Sequence, residues 1–198
     1  AEALASSAFA SMILTGLDDP ERVTVQRVDE GFLPMFGARP VVGRLLTAAD
    51  QRDGAPGVVV LTHAQWVDRF GSDPGVVGRS IQLDDQPFEI VGVLQPGFAP
   101  PETMRGDGGL IVPLAVRTGE PARGSFFITT VARLRPGTSR TDMADHMERV
   151  VAGIYPPGDG PAFLAGGGAA DLRTEVVGNV GSALGRMLAA VALLLLIA

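Results

Sequence analysis

The stretch "SIQLDDQPFEIVGVL", residues Ser80–Leu94, decides the architecture. Ile81 and Leu83 alternate ahead of Asp84–Asp85. Phe88 and Ile90 follow, and then Val91 and Val93. Two β-prone runs around two turn-forming residues predict a β-hairpin. Such a turn usually carries Asn-Gly or a similar pair, because both central residues take positive φ. Asp84-Asp85-Gln86-Pro87 departs from that, so either the loop is longer than two residues or an aspartate is strained.

Upstream, "VVVL" (58–61) is short, apolar and β-branched, which predicts a buried strand. Thr62 followed by Gln65 predicts a capping box and a helix start. Trp66, Val67 and Phe70 then share one helical face, and "GSDPG" ends the helix. Further back, Val23, Val25 and Val28 mark a strand across "ERVTVQRVDE", the first clear strand of the chain. "GFLPMFG" predicts a brief helical turn closed by Gly37, and "TAADQRDGAPG" a surface loop. Downstream, "QPGFAPPETMRGDGG" is a long Pro/Gly loop. "LIVPL" is a strand whose Pro113 predicts an edge position. "FFITTVARLRPG" is a strand ended by a Pro-Gly turn. "SRTDMADHMERVVAGIYPP" predicts a helix with Met143, Met147, Val150, Val151 and Ile154 on one face, stopped by Pro156. A Gly/Ala stretch and a last weak strand through "LRTEVV" follow. Short strands with a few helices between them make the class α+β.

The 198 residues, 46% hydrophobic and 19% charged, suit one compact domain or two small ones. There is no cysteine, so Cys-ligated metal, iron–sulfur clusters and thiol catalysis are excluded. All 16 basic residues are arginine. Without lysine there is no P-loop and no Schiff base for pyridoxal phosphate. A net charge of −6 with no basic run argues against nucleic acid as a partner. The N-terminus lacks a basic n-region, and Glu2 stands where a signal peptide needs positive charge. It reads as mature sequence or an internal cut.

No residue stands out for catalysis, cofactor binding or metal ligation. His63 and His146 lie far apart and outside any H-E-x-x-H pattern. The pairs Asp18–Asp19 and Asp84–Asp85 fall in predicted turns, where aspartate suits the backbone. "FGSDPGVVGR" runs from helix to strand, the reverse of a phosphate-binding loop. "LAGGGAAD" reads as linker, and Trp66 with Phe70 as core. No G-x-S-x-G elbow occurs. A carboxylate hydrolase would need two facing acids in a cleft.

The tract "MLAAVALLLLIA" (187–198) is apolar on every face and shorter than the roughly twenty residues of a membrane span. By periodicity it is either a buried core helix or the outer half of a span.

Taken together, "GFLPMFGARPVVGRLLTAAD", "VVVLTHAQWVDRFGSDPGVVGRSIQLDDQPFEIVGVLQPGF", "LIVPL" and "VARLRPGTS" resemble the MacB-like periplasmic core domain of FtsX-type ABC transporter permeases. The residues that carry the resemblance are Phe32, Gly37, Gly43, Arg44, Trp66, Phe70, Gly78, Gly92, Val93, Pro96, Gly97, Phe98, Pro113, Leu114, Arg133, Pro136 and Gly137. The resemblance implies a porter-like α/β module (1–56 and 119–180) with an inserted β-rich hairpin subdomain (57–118). A truncated transmembrane helix would follow over 185–198, entered after Arg186. It further implies a cell (inner) membrane location with this domain on the extracytoplasmic side, and no enzymatic activity or cofactor. Its implied partners are the membrane from about Gly185, a cytoplasmic ABC ATPase, a second permease copy or paralogue, and a periplasmic adaptor. The expected function is coupling of ATP-driven helix motion to export or extraction. The alternative is a soluble extracytoplasmic protein-binding module without a transport role.

Overall fold

The computed structural model describes residues 1–17, 19–99, 109–114, 128–154 and 170–172. The strands are β1 (Ala3–Thr15), β2 (Glu21–Val28), β3 (Pro40–Gly43), β4 (Val58–Leu61), β5 (Ser80–Leu83), β6 (Gln86–Leu94), β7 (Leu110–Pro113) and β8 (Thr129–Arg133). The helices are α1 (Phe32–Met35), α2 (His63–Phe70) and α3 (Arg140–Ile154). Two compact units result. Glu2–Arg133 holds all eight strands with α1 and α2, and Leu134–Ala198 with Ala1 forms the other.

The strands pair in the order β2-β7-β4-β6-β5-β1-β8, and β1 also pairs with β2. That extra pairing closes β1, β2, β7, β4, β6 and β5 into a six-stranded barrel. β3 lies against β6 and β8 against β1 as flanking strands. Two of the ring's pairings, β2–β7 and β4–β6, are parallel. The segments 2–56 and 57–118 thus contribute strands to one sheet and fall within one compact unit.

Strand alternation divides the apolar residues between two cores. The lumen holds Met12 and Leu14, Val23 and Val25, Val59 and Leu61, Ile81 and Leu83, and Leu110 and Val112. The opposite face of the same wall carries Val28, Val58, Val60 and Ile111, covered by Phe32, Leu33, Ala38 and Leu46. Phe32 and Phe36 meet edge to face at 5.0 Å. Phe32 and Leu33 are fully buried, a gain of about 2–3 kcal/mol each. They make α1, only four residues long, the lid of the second core.

A bulge in β6 serves both cores. Val59 pairs with Ile90 but Val60 pairs with Gly92, so Val91 is an extra residue. Ile90 and Val93 therefore both face the lumen, while Val91 and Leu94 both face outward. Strict alternation would have turned Val93 out of the lumen.

Four features differ from the sequence reading. The longest strand, β1, is an addition, since its Ala/Ser-rich run carries no β-branched residue before Ile13. β7 is central, bonded to β2 on one side and β4 on the other. Pro113 is tolerated because the β4 ladder ends at Ile111 while Leu114 N donates to Val28 O, so the missing N–H faces the side without a partner. Val67 is 41% exposed and does not share the buried face of Trp66 and Phe70. The capping box at Thr62 is half formed. The Thr62 hydroxyl accepts from Gln65 N, but the Gln65 side chain accepts from Arg69 Nε at 2.6 Å instead.

In the other unit, Arg135-Pro136-Gly137-Thr138 is a tight turn, closed by Thr138 N donating to Arg135 O at 3.0 Å. Ser139 then opens α3. Its N and Oγ both donate to Asp142 Oδ2 at 2.8 Å, and its Oγ accepts from Asp142 N. These bonds hold the Asp142 carboxyl below its ordinary range. On the predicted apolar face, Met147 and Val150 are exposed. The expected strand at 172–177 and tract at 185–198 lie outside the described residues, apart from Leu172. Among the described residues no helix is long and apolar enough to cross a membrane.

Candidate functional site

The residues singled out in the sequence do not converge on a catalytic cleft. Most of them sit at four joints of the barrel. The tightest is the crossing of β3 over β6. Gly43 takes φ +71°, and a Cβ there would meet Val91 O at 2.2 Å. A Cβ on Gly92 would meet Arg44 O at 2.1 Å. Only glycines let the two backbones approach this closely, and Arg44 N then donates to Val91 O at 2.9 Å. The Arg44 guanidinium grips Asp50 in a fork, Nη1 to Oδ2 at 2.7 Å and Nη2 to Oδ1 at 2.9 Å. Thr47 N and Oγ1 both donate to Asp50 Oδ2 at 2.8 Å. The bond from Arg44, helped by Thr47, holds the Asp50 carboxyl below the usual range although burial opposes it.

The second joint closes one end of the barrel. Trp66 and Phe70 of α2 pack on the lumen residues, beside the fully buried Val76. The Trp66 indole N–H donates to Asp73 O at 2.8 Å, which ties the helix to the following turn. Gly71 in the left-handed region ends α2. Gly78, at φ +89°, turns the chain into β5, and its N–H bonds Ile90 O at 2.9 Å.

The third joint anchors the outer layer. Gly37 leaves α1 at φ +75°, and its carbonyl accepts from Gln95 Nε2 at 3.1 Å. Gln95 Oε1 accepts from Arg39 N at 2.5 Å. Pro96 and Gly97 then turn the chain so that Phe98 packs on the outer core. Arg133 of β8 donates to Met35 O at 3.2 Å, holding the end of α1. The fourth joint is the end of β7, where Pro113 is followed by the buried Leu114. Pro136 and Gly137 belong to the turn of the other unit.

The hairpin turn resolves the aspartate question. The loop is two residues long, with Asp84 at φ 50° and Asp85 at φ 60°. Asp84 also fastens the hairpin to β1. Its N donates to Ile13 O at 2.9 Å, and its Oδ1 accepts from Ile13 N at 2.7 Å. The His63 ring stands edge-on to Trp66 at 5.4 Å, and His146 is exposed on α3.

A cleft of about 310 Å³ opens at the barrel end opposite α2. Met12, Phe88 and Val112 form its floor, and Arg27 with the loop from Arg52 to Gly57 forms its rim. As a group these residues carry no signal in the sequence. "QRDGAPG" carries only the signal of a polar loop, and no spacing relates it to Arg27, which the β2–β7 pairing brings near.

At these joints the distinctive residues set backbone geometry. The family model "MacB-like periplasmic core domain" matches residues 2–150. This chain belongs to that family. Among solved structures, the periplasmic region of MacB from Actinobacillus actinomycetemcomitans is similar, at TM-score 0.58 and 19% identity, over 76% of this chain and 66% of that one. A domain from Porphyromonas gingivalis, described as belonging to a permease protein, matches at TM-score 0.55 and 19% identity, over 75% and 68%. The extracellular domain of the noncanonic ABC-type transporter YknZ from Gram-positive bacteria aligns at TM-score 0.44 and 21% identity, over 56% of this chain and 53% of that one. No curated protein matches the chain in sequence.

Proposed function

We propose that this chain is the extracytoplasmic part of an ABC transporter permease subunit, and that it passes ATP-driven motion of membrane helices to a substrate outside the cytoplasm. The observation that carries this reading is the family match over residues 2–150, followed in the sequence by the charge-free tract 187–198. In this reading the tract is the outer half of a membrane helix entered near Gly185. ATP is hydrolysed by a separate cytoplasmic ATPase, and a second permease copy or paralogue completes the assembly. The domain itself works without catalytic residues or cofactor. A closed barrel with its backbones locked at glycine crossings supports that role, because a stiff body transmits displacement where a loose one would absorb it.

The test is topological. A single cysteine placed at the exposed hairpin tip, Asp85→Cys, in a full-length protein cleared of any other cysteine, reports its compartment; these 198 residues contribute none of their own. A membrane-impermeant maleimide should label it in intact spheroplasts. Labelling only after lysis would refute the reading. Crosslinking in membranes should then recover a nucleotide-binding subunit.

A further inference from the structure

We infer that the open end of the barrel is a binding site for a small carboxylate with an apolar body. The inference does not rest on the transport reading. Barrel mouths are recurrent ligand sites, and a volume of about 310 Å³ lies at the small end of the range of ligand pockets, roughly 300–1,000 Å³. The floor offers Met12, Phe88 and Val112, which continue the lumen core, while Trp66, Phe70 and Val76 fill the other end.

The charge at the rim selects the ligand. Arg44, Arg69 and Arg79 each hold an acidic partner. Arg27 and Arg52, both lining the cleft, have no ion-pair partner among the described residues. In a chain of net charge −6, two guanidinium groups at one opening without an acidic partner among the described residues are a local positive site. Asp50 also lines the cleft, but its two oxygens are already held by Arg44. Asp53 remains as the opposing charge among the described residues of the lining. A guanidinium fork matches a carboxylate with two parallel bonds. The arrangement therefore fits a molecule that lays an apolar body on the floor and turns its carboxylate to the rim.

The probe is 3-phenylpropionate, titrated into the 198-residue chain while the methyl resonances of Met12 and Val112 are followed. Saturable shifts at both are expected. Arg27→Gln and Arg52→Gln should each weaken binding about tenfold, the weight of one charge-assisted hydrogen bond. Asp53→Asn should tighten it. 3-Phenylpropan-1-ol, the same body without the carboxylate, should bind about tenfold or more weaker. Equal affinity for the alcohol, or unchanged affinity in the double arginine variant with its spectrum otherwise intact, would overturn the assignment. So would shifts confined to the apolar tract 187–198.

Discussion

Replacing Gly92 by alanine separates close backbone contact from backbone conformation. Gly92 carries no left-handed φ, yet its Cβ would lie 2.1 Å from Arg44 O and 3.0 Å from Arg44 C and N. Carbon–oxygen contacts settle near 3.3 Å or beyond, so β3 and β6 must part by about 1 Å. That takes the Arg44 N–Val91 O bond, now 2.9 Å, beyond hydrogen-bonding range. Overpacking costs about 1–3 kcal/mol and the bond about 1 more, giving roughly 2–4 kcal/mol out of a total stability near 5–15. Gly37 is the control. It sits at φ +75° with nothing within 4 Å of its Cβ position, so Gly37→Ala costs only the left-handed strain, about 1 kcal/mol. Urea unfolding followed through Trp66, the single tryptophan, measures both. With a slope of about 1–3 kcal/mol per molar, the midpoint should fall by roughly 1–2 M for Gly92→Ala and by about half a molar for Gly37→Ala. Equal losses for the two variants would refute the claim that contact governs the crossing.

Three further outcomes are expected. Asp50 has a lowered folded pKa, so its contribution is full above the usual carboxylate range and is lost as pH falls through the folded value. Asp50→Asn should cost about 1 kcal/mol at pH 7, the Arg44 side chain being 46% exposed, and the gap to wild type should narrow as pH falls below the usual carboxylate range, as read by urea titrations at neutral and acid pH. In the hairpin, Asp85→Gly relieves a left-handed residue without losing a bond and should stabilise by about 0.5–1 kcal/mol. Asp84→Ala loses the Ile13 bond and should destabilise by about 1–2 kcal/mol; midpoints moving the same way would contradict this account. Trp66→Phe removes the N–H bonded to Asp73 O and should cost about 1 kcal/mol in thermal or urea unfolding.

Local pattern made much of the domain legible. Alternation marked β2, the all-apolar run marked β4, and paired runs around two aspartates marked β5 and β6. The glycines at the β3–β6 crossing were legible only as members of a family pattern, because their reason is another backbone more than forty residues away in sequence. β1 escaped notice for a related cause. Ala5, Ser7 and Ala8 are buried on both faces, so small residues replace the in–out contrast that identifies a strand. Barrel closure was equally hidden, since it depends on β1 pairing with β5 and on two parallel ladders that no hairpin announces. The cleft needs all of these at once, which is why Arg27 and Arg52 read as unrelated surface charges.

The ring of strands is fastened unevenly. β1 meets β2 over eight residue pairs but β5 over only two, Leu14–Leu83 and Thr15–Gln82, as few as β4 shares with β7. Asp84 adds its two bonds to Ile13 beside them. That short seam is the clasp of the barrel, and Asp84 is its pin. Opening it converts the closed ring into a curled sheet with two new edges, while the lumen packing elsewhere stays intact. Amide exchange should therefore be fastest around Ile13–Thr15 and Gln82–Asp84, well ahead of the β1–β2 ladder. The same strand that completes the barrel is thus expected to supply a place where it opens early.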